Sequence, residues 1–193
     1  MCGRYYVDDE TAREIEKLVR NLDRKLQTEH TGDVFPSQSA MVITEKTGHL
    51  TTERMQWGFP GFDKGKLLIN ARAESVLERP TFRDSVRHRR CIIPARGFYE
   101  WNKSKEKFFY ERNDIPVLFM AGCYNRYEDR DRFVILTTAA NPSVVPVHNR
   151  MPLVLDLEEL EDWVFDDKAT EYLLHKTPVL LKSHAEYEQM LLF

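Results

Sequence analysis

Arg90-Cys91-Ile92-Ile93-Pro94-Ala95-Arg96-Gly97-Phe98-Tyr99-Glu100-Trp101 decides how this chain is read. Cys91-Ile92-Ile93-Pro94 is an apolar run of strand length and predicts a buried strand, and the aromatic-rich Gly97-Phe98-Tyr99-Glu100-Trp101 predicts another. Outward from this pair the β signal continues. Residues 107–111, 117–120 and 133–136 read as strands, with turns at Asn113-Asp114 and near Asp129. On the N-terminal side, residues 41–44 and 50–55 flank a turn at Thr47-Gly48, and Arg4-Tyr5-Tyr6-Val7 starts the series. Residues 178–181 predict a last strand. Helical signals are fewer. Asp8 and Asp9 offer N-cap oxygens ahead of Ala12, Ile15, Leu18, Val19, Leu22 and Leu26, whose spacing predicts an amphipathic helix. Residues 157–163 and 169–175 predict two short helices. Val34-Phe35-Pro36-Ser37-Gln38 and the stretch 57–62 read as loops, and Leu67-Leu68-Ile69 as a strand leading into a short helix at residues 70–74. Asn141-Pro142 breaks the pattern. Many non-local strands with helices set among them predict an α+β fold, a curved mixed or antiparallel sheet or barrel-like core with peripheral helices.

Composition narrows the function classes. Residues 1–193 are enough for one domain with a sizeable core, and no linker, repeat or low-complexity stretch divides them. Lys plus Arg number 28 against 31 Asp plus Glu, a formal net charge of −3, so overall charge argues for no nucleic-acid partner. Only a local patch can serve, and Arg83, Arg87, His88, Arg89, Arg90 and Arg96 form the one basic concentration. No apolar run approaches the roughly 18 residues of a membrane span, and the start carries no signal-peptide pattern. Cys2, Cys91 and Cys123 make no disulfide framework, which points to a reduced, cytoplasmic setting. His30, His49, His88, His175 and His184 are scattered without ligand spacing, so no metal or other cofactor is expected. No glycine-rich phosphate loop or nucleophile-elbow serine is present either.

Cys2 is the residue with most chemistry to offer. Cysteine is small enough for Met1 to be removed ahead of it, which would leave an α-amine and a thiol on adjacent carbons. An α-amine has an ordinary pKa of roughly 7.7–8.0 against about 10.4 for lysine, and a thiol about 8.5. Such a 1,2-aminothiol condenses with an aldehyde through nitrogen and closes a thiazolidine ring through sulfur; the plain alternative is an inert residue. Glu100 sits among aromatics whose burial would suit it to proton transfer, unless it alternates outward on its strand. His148 can act as acid or base near neutrality, or can be a hydrogen-bonded structural group. Asn70 can orient a reacting group or cap a strand end. Arg4, Arg72 and Arg150 can hold phosphates with guanidinium forks. Trp57 and Phe59 can stack on unpaired bases or pack in the core.

Met1-Cys2-Gly3-Arg4, Trp57-Gly58-Phe59, Asn70-Ala71-Arg72-Ala73-Glu74-Ser75, the stretch 90–101 and Val147-His148-Asn149-Arg150-Met151-Pro152 occur together in order. In that combination the chain resembles the SOS-response-associated peptidase (SRAP) family. The resemblance implies the α+β fold particular to that family, as a single domain and a monomer. It also implies binding to single-stranded DNA and covalent capture of abasic sites by the mature N-terminal cysteine as a thiazolidine. By the same resemblance Cys2 is the nucleophile, Asn70 orients the adduct, and Glu100 and His148 carry the acid–base roles. Arg4, Arg72 and Arg150 meet the phosphates, Trp57 binds DNA, and Pro36 lies beside the lesion. Glu100 is also the candidate base for release of residues ahead of the cysteine. Two departures stand out: many members run Asn-x-Ala-Pro-Thr-Gln where this chain has Asp33-Val34-Phe35-Pro36-Ser37-Gln38, and the loop after Gly58 lacks a second tryptophan. Two rivals keep other residues working: an N-terminal-nucleophile peptidase using Cys2 and Glu100, and a single-strand binding module using Arg72, Arg150 and Trp57.

Overall fold

The computed structural model describes residues 2–18, 31–63 and 65–186. In chain order the strands and helices among them are β1 (Tyr5–Val7), α1 (Asp9–Leu18), β2 (Gly32–Val34), β3 (Ser39–Lys46), β4 (His49–Trp57), β5 (Phe59–Pro60), β6 (Leu67–Leu68), β7 (Asn70–Arg72), α2 (Pro80–His88), β8 (Arg90–Ala95), β9 (Gly97–Trp101), β10 (Lys107–Glu111), β11 (Leu118–Tyr127), β12 (Arg130–Ala139), β13 (Arg150–Pro152), β14 (Val154–Leu155), α3 (Leu160–Phe165), α4 (Asp167–Leu173) and β15 (Lys182–Glu186). A 3-10 turn, Ala73–Ser75, follows β7.

Five strands close a ring. β12 pairs with β4, β4 with β3, β3 with β8, β8 with β11, and β11 returns to β12. A second sheet runs β15-β10-β9-β1-β2, antiparallel throughout. One residue, Arg96, separates β8 in the ring from β9 in the second sheet, so the stretch 90–101 joins the two sheets. The ring has one parallel seam. β12 meets β4 at Arg132↔Gln56 and Phe133↔Trp57, then meets β7 at Ile135↔Asn70. The chain leaves that seam at Gly58, whose φ of +109° favours glycine, makes the β5–β6 excursion and returns to the same edge with Asn70.

Period-2 alternation splits the core into two layers. Ile92, Val134 and Leu136 join one cluster, while Cys91, Ile93, Phe133 and Ile135 join the other. Ile15, Val86, Trp163 and Leu173, one from each described helix, belong to the first cluster. A ring of five strands is too narrow to hold a helix, so this cluster is its outer coat. The second cluster runs from the ring to Tyr5, Phe98 and Tyr110 of the other sheet, with Cys2 among them. Each fully buried side chain of this kind contributes about 1.5–3 kcal/mol.

The sequence reading holds for the α+β class and for the central strands, and needs five corrections. Residues 70–72 of the expected short helix form β7 because β12 offers them an edge, and only a 3-10 turn follows at Ala73–Ser75. Residues 32–34 form a strand where only a loop begins in the sequence reading, because β1 offers them an edge. The basic run carries a helix, α2, that hydrophobic spacing does not reveal. Pro80 opens it and Arg87 and His88 close it, charges that suit a helix C-terminus. Residues 57–62 are no simple loop, since Trp57 ends β4 and Phe59–Pro60 pairs with Leu67–Leu68. Residues 178–181 form no strand: Asn141 Nδ2 donates to the Pro178 and Val179 carbonyls at 2.9 and 2.8 Å, and pairing with β10 starts at Lys182. At α1 the cap is Asp8, whose Oδ1 accepts from Thr11 N at 2.7 Å. Val19, Leu22 and Leu26 of the expected helix, like Met1, lie outside the described residues. No described helix is long and apolar enough to cross a membrane.

Candidate functional site

β1 lies between β2 and β9, with Tyr5 opposite both Val34 and Phe98. Those three side chains face inward and are buried. Glu100 is two residues beyond Phe98 on the same strand, so alternation turns it to the same inward face, and it is only 2% exposed. The outward alternative for Glu100 is thereby removed. Cys2, ahead of β1, is fully buried in the same layer. Burial pushes its thiol well above the ordinary range, and the negative charge of Glu100 pushes it further the same way. The thiol's contact is the Arg4 carbonyl at 3.7 Å. Tyr110 on β10 is pushed up to about 12, first by burial and then by Glu100. Glu100 therefore faces both Cys2 and Tyr110 from inside the sheet.

Asn70 completes this group from the other side. As the first residue of β7 it is held by the parallel seam with β12, and its Nδ2 donates to the Cys2 carbonyl at 2.9 Å. Its Oδ1 is buried and has no hydrogen-bond partner among the described residues. An amide left half-satisfied beside a nucleophile has an acceptor to offer an incoming group. Asn70 and the exposed Arg72 also line a cleft of about 470 Å³ with Phe62, Arg79 and Phe82.

His148 stands at the end of the turn that Asn141 organises, where its backbone N–H donates to the Val144 carbonyl at 3.0 Å. Its Nδ1 lies 3.0 Å from the Arg150 N–H and 3.1 Å from the Arg150 carbonyl. An Nδ1 that accepts that N–H leaves the ring hydrogen on Nε2. His148 lines a second cleft, of about 740 Å³, together with Trp101, Lys103 and Asn149. Trp101 directly follows Glu100 on β9, so alternation sets this cleft on the opposite face of the sheet from the buried carboxylate.

The arginines divide. Arg4 is half-buried on the outward face of the second sheet. Its Nη1 lies 3.3 Å from Asp33 Oδ2, and its guanidinium sits 4.6 Å from the Phe35 ring centre and 5.2 Å from Trp101. Arg72 lies exposed on the rim of the first cleft. Arg150 is engaged within the fold. Its Nη1 and Nη2 donate to the two Glu74 carboxylate oxygens at 2.6 and 2.9 Å, and Nη2 also donates to the Thr137 carbonyl at 2.6 Å. Its fork is filled, and its Nε is buried. It clamps the turn carrying His148 onto the 3-10 turn after β7.

Trp57 is engaged within the fold as well. Its indole is fully buried, stacks with Phe133 at 6.2 Å and donates Nε1–H to the Ile69 carbonyl at 2.9 Å. Phe59 is equally buried. Neither ring has a face to offer a base. Pro36 is partly exposed in the turn beyond β2, next to Phe35, which is 38% exposed. Asp33, Phe35, Glu74 and Trp101 are the neighbours that sequence reasoning missed. Only the register of β1, β2 and β9 reveals the first two, although residues 33–35 depart from the family pattern. Among the described residues no group of His, Cys, Asp and Glu could hold a metal ion.

The family model described as SOS response associated peptidase (SRAP) matches residues 1–190. The abasic site processing protein YedK of Escherichia coli is 31% identical over 176 residues, covering 85% of this chain and 79% of that protein. The abasic site processing protein YoqW of Bacillus subtilis is 31% identical over 181 residues, covering 85% and 80%. A solved structure from Bordetella bronchiseptica, 22% identical, superposes with a TM-score of 0.79 over 97% of this chain and 100% of that one, and so has the same fold.

Proposed function

The chain belongs to the SRAP family, and from that premise we propose that it binds single-stranded DNA and captures abasic sites covalently through Cys2. The observation that carries the proposal is the meeting of Cys2, Asn70 and Glu100. The Asn70 amide holds the Cys2 carbonyl from 68 residues away, and the Glu100 charge acts on the Cys2 thiol. Relatives at 31% identity bear the name abasic site processing protein.

An abasic sugar exposes a small fraction of open-chain aldehyde. With Met1 removed, the Cys2 amine adds to that carbonyl and loses water, giving an imine. The thiol then adds across the carbon–nitrogen double bond: the carbon–sulfur bond forms, and the thiol proton ends on nitrogen. One water leaves overall and nothing is oxidised. A thiol kept neutral by burial leaves the first attack to the amine. Closure then needs the thiol proton moved, for which Glu100 is the neighbouring carboxylate; acid–base help of this kind is typically worth 10²–10⁴-fold. Asn70 orients the adduct through its free acceptor, and His148 serves the imine chemistry, including strand cleavage by β-elimination when the ring does not close. Glu100 is also the base proposed for self-release of Met1. Arg72 meets a phosphate from the rim of the first cleft and Arg4 from the outward face of the second sheet, and Pro36 lies beside the lesion.

The test is the intact mass of the protein after mixing with an abasic single-stranded oligonucleotide. The expected adduct equals protein from Cys2 onward plus oligonucleotide minus one water, and it survives denaturation without reductant. An adduct that still carries Met1, or one formed equally by Cys2→Ala, sinks the assignment.

A further inference from the structure

Phe35 is an aromatic side chain for which the fold has no use. It belongs to neither core cluster, and 38% of its surface is exposed. Single exposed apolar residues are ordinary. Phe35 differs in how firmly it is held and in what covers one of its faces.

The hold comes from the turn that follows β2. The Phe35 N–H donates to Gln38 Oε1 at 2.9 Å, and the Gln38 N–H returns to the Phe35 carbonyl at 3.1 Å. Ser37 N–H donates to the Trp57 carbonyl and Trp57 N–H to the Gln38 carbonyl, each at 2.9 Å, while Gln56 Nε2 takes the Ser37 carbonyl at 2.7 Å. Ser37 accepts a φ of +73°, a conformation that costs a residue with a side chain, to close this turn. Pro36 removes one more backbone freedom. A loop bonded this thoroughly to β4 presents its exposed ring in one place.

The cover comes from strand register. With Tyr5 opposite Val34, Arg4 stands opposite Phe35, and Tyr99 N–H donates to the Arg4 carbonyl from the other side. The Arg4 guanidinium thus lies 4.6 Å from the Phe35 ring centre, 5.2 Å from Trp101 and 5.7 Å from Tyr99, with Asp33 as its ion-pair partner. Of the three departures from the Asn-x-Ala-Pro-Thr-Gln pattern, Asp33, Phe35 and Ser37, the first two land on Arg4. Two residues along the chain and one strand across set the Phe35 backbone on the order of 10 Å from that of Cys2.

We propose that Phe35 is a specificity-determining residue of this chain: its ring, backed by the Arg4 guanidinium, is the platform on which the unpaired base next to the captured sugar stacks. The ring offers a π-face and no hydrogen-bonding edge, so it accepts any base and requires it to be unpaired. A guanidinium behind the ring places positive charge where the neighbouring phosphate passes. Buried Trp57 leaves this role open, and Phe35 takes it. The inference rests on the DNA reading of the site.

The test uses single-stranded abasic oligonucleotides carrying 2-aminopurine on the 5′ or the 3′ side of the lesion, with wild type, Phe35→Ala, Phe35→Leu and Phe35→Trp. Stacking quenches 2-aminopurine. Wild type is expected to quench it at one flank only. Phe35→Ala and Phe35→Leu lose that quench and bind about ten-fold more weakly, and Phe35→Trp restores both. Leu keeps an apolar cover over Arg4 without the π-face, so a merely structural ring would leave Phe35→Leu like wild type; that result overturns the proposal. So does an unchanged quench in Phe35→Ala while the wild type still crosslinks. A wild-type protein that neither binds nor crosslinks the oligonucleotide overturns the DNA reading and this inference together.

Discussion

Cys2, Trp57 and Arg150 are three residues whose chemistry depends on what surrounds them. The Cys2 thiol is held above its ordinary pKa by burial and by Glu100. Its alkylation by iodoacetamide in the native protein is expected to stay slow through pH 8–9 and to keep rising beyond the pH where a free thiol, with pKa about 8.5, levels off. Glu100→Gln removes the lesser cause and should speed the reaction only modestly; peptide mapping separates Cys2 from buried Cys91 and Cys123. An ordinary titration midpoint for Cys2 would contradict the buried geometry. Cys2→Ala keeps an α-amine, so with abasic single strands it should give an imine that needs borohydride to trap. Trp57→Ala should act on stability, by about 3–5 kcal/mol as for a large buried aromatic. Trp57→Phe, which keeps the stack on Phe133 and loses the bond to Ile69, should fold and bind DNA with wild-type affinity. A clear loss of DNA affinity in folded Trp57→Phe would restore the ring to the interface.

At the level of elements, ion pairs lock the turns that carry the site and tie the end of β10 to the segment after β14. Arg150 and Glu74 join the turn bearing His148 to the turn after β7, and the Glu74 carboxyl is held below its ordinary range first by that hydrogen bond. Glu74→Gln should loosen His148 and slow strand cleavage and adduct reversal more than initial DNA binding, read from cleavage and binding on the same oligonucleotide. A second network centres on Arg112, mostly buried at the end of β10, which bonds Asp114 at 2.6 and 2.8 Å and Asp156 at 2.8 Å; Lys176 also reaches Asp156 and Glu159. Removing the shared cation with Arg112→Ala should cost about 2–3 kcal/mol by denaturant melts. Arg112 holds the Asp114 carboxyl down to about 2, below its ordinary value near 3.9. A depressed carboxyl stabilises the fold fully above its unfolded pKa and loses that contribution as pH falls through its folded one. The stability gap between wild type and Asp114→Asn should therefore be present at pH 6 and vanish between about pH 4 and pH 2. Asp114 is largely exposed, so the gap stays under about 1 kcal/mol and shrinks further in salt.

For the whole molecule, a net charge of −3 means that attraction to DNA is local. With Arg150 committed to Glu74, Arg4 and Arg72 remain as proposed phosphate contacts, and the log–log salt slope on single strands should be about −1.4, at about 0.7 per contact. A slope near −2 would return Arg150 to the count. The α+β class, the central strands and the candidate residues Cys2, Asn70, Glu100 and His148 were all legible in the residues themselves. Alternation and turn chemistry act over a few positions, and the family motifs stand as contiguous words. What those side chains meet was not legible. Phe98-Tyr99-Glu100-Trp101 announces a strand, yet only the neighbours of β9 decide that Glu100 faces Cys2 while Tyr99 and Trp101 face Arg4. Trp57 reads in the opposite sense from its place in the fold, because it ends a strand inside a closed ring, while the loop reading of Phe35 gives no hint of the Arg4 guanidinium that meets it one residue past a pairing edge. Composition and periodicity describe a side chain's nature. Exposure and partners are set by strand register between segments tens of residues apart, and that register exists only once the ring has closed.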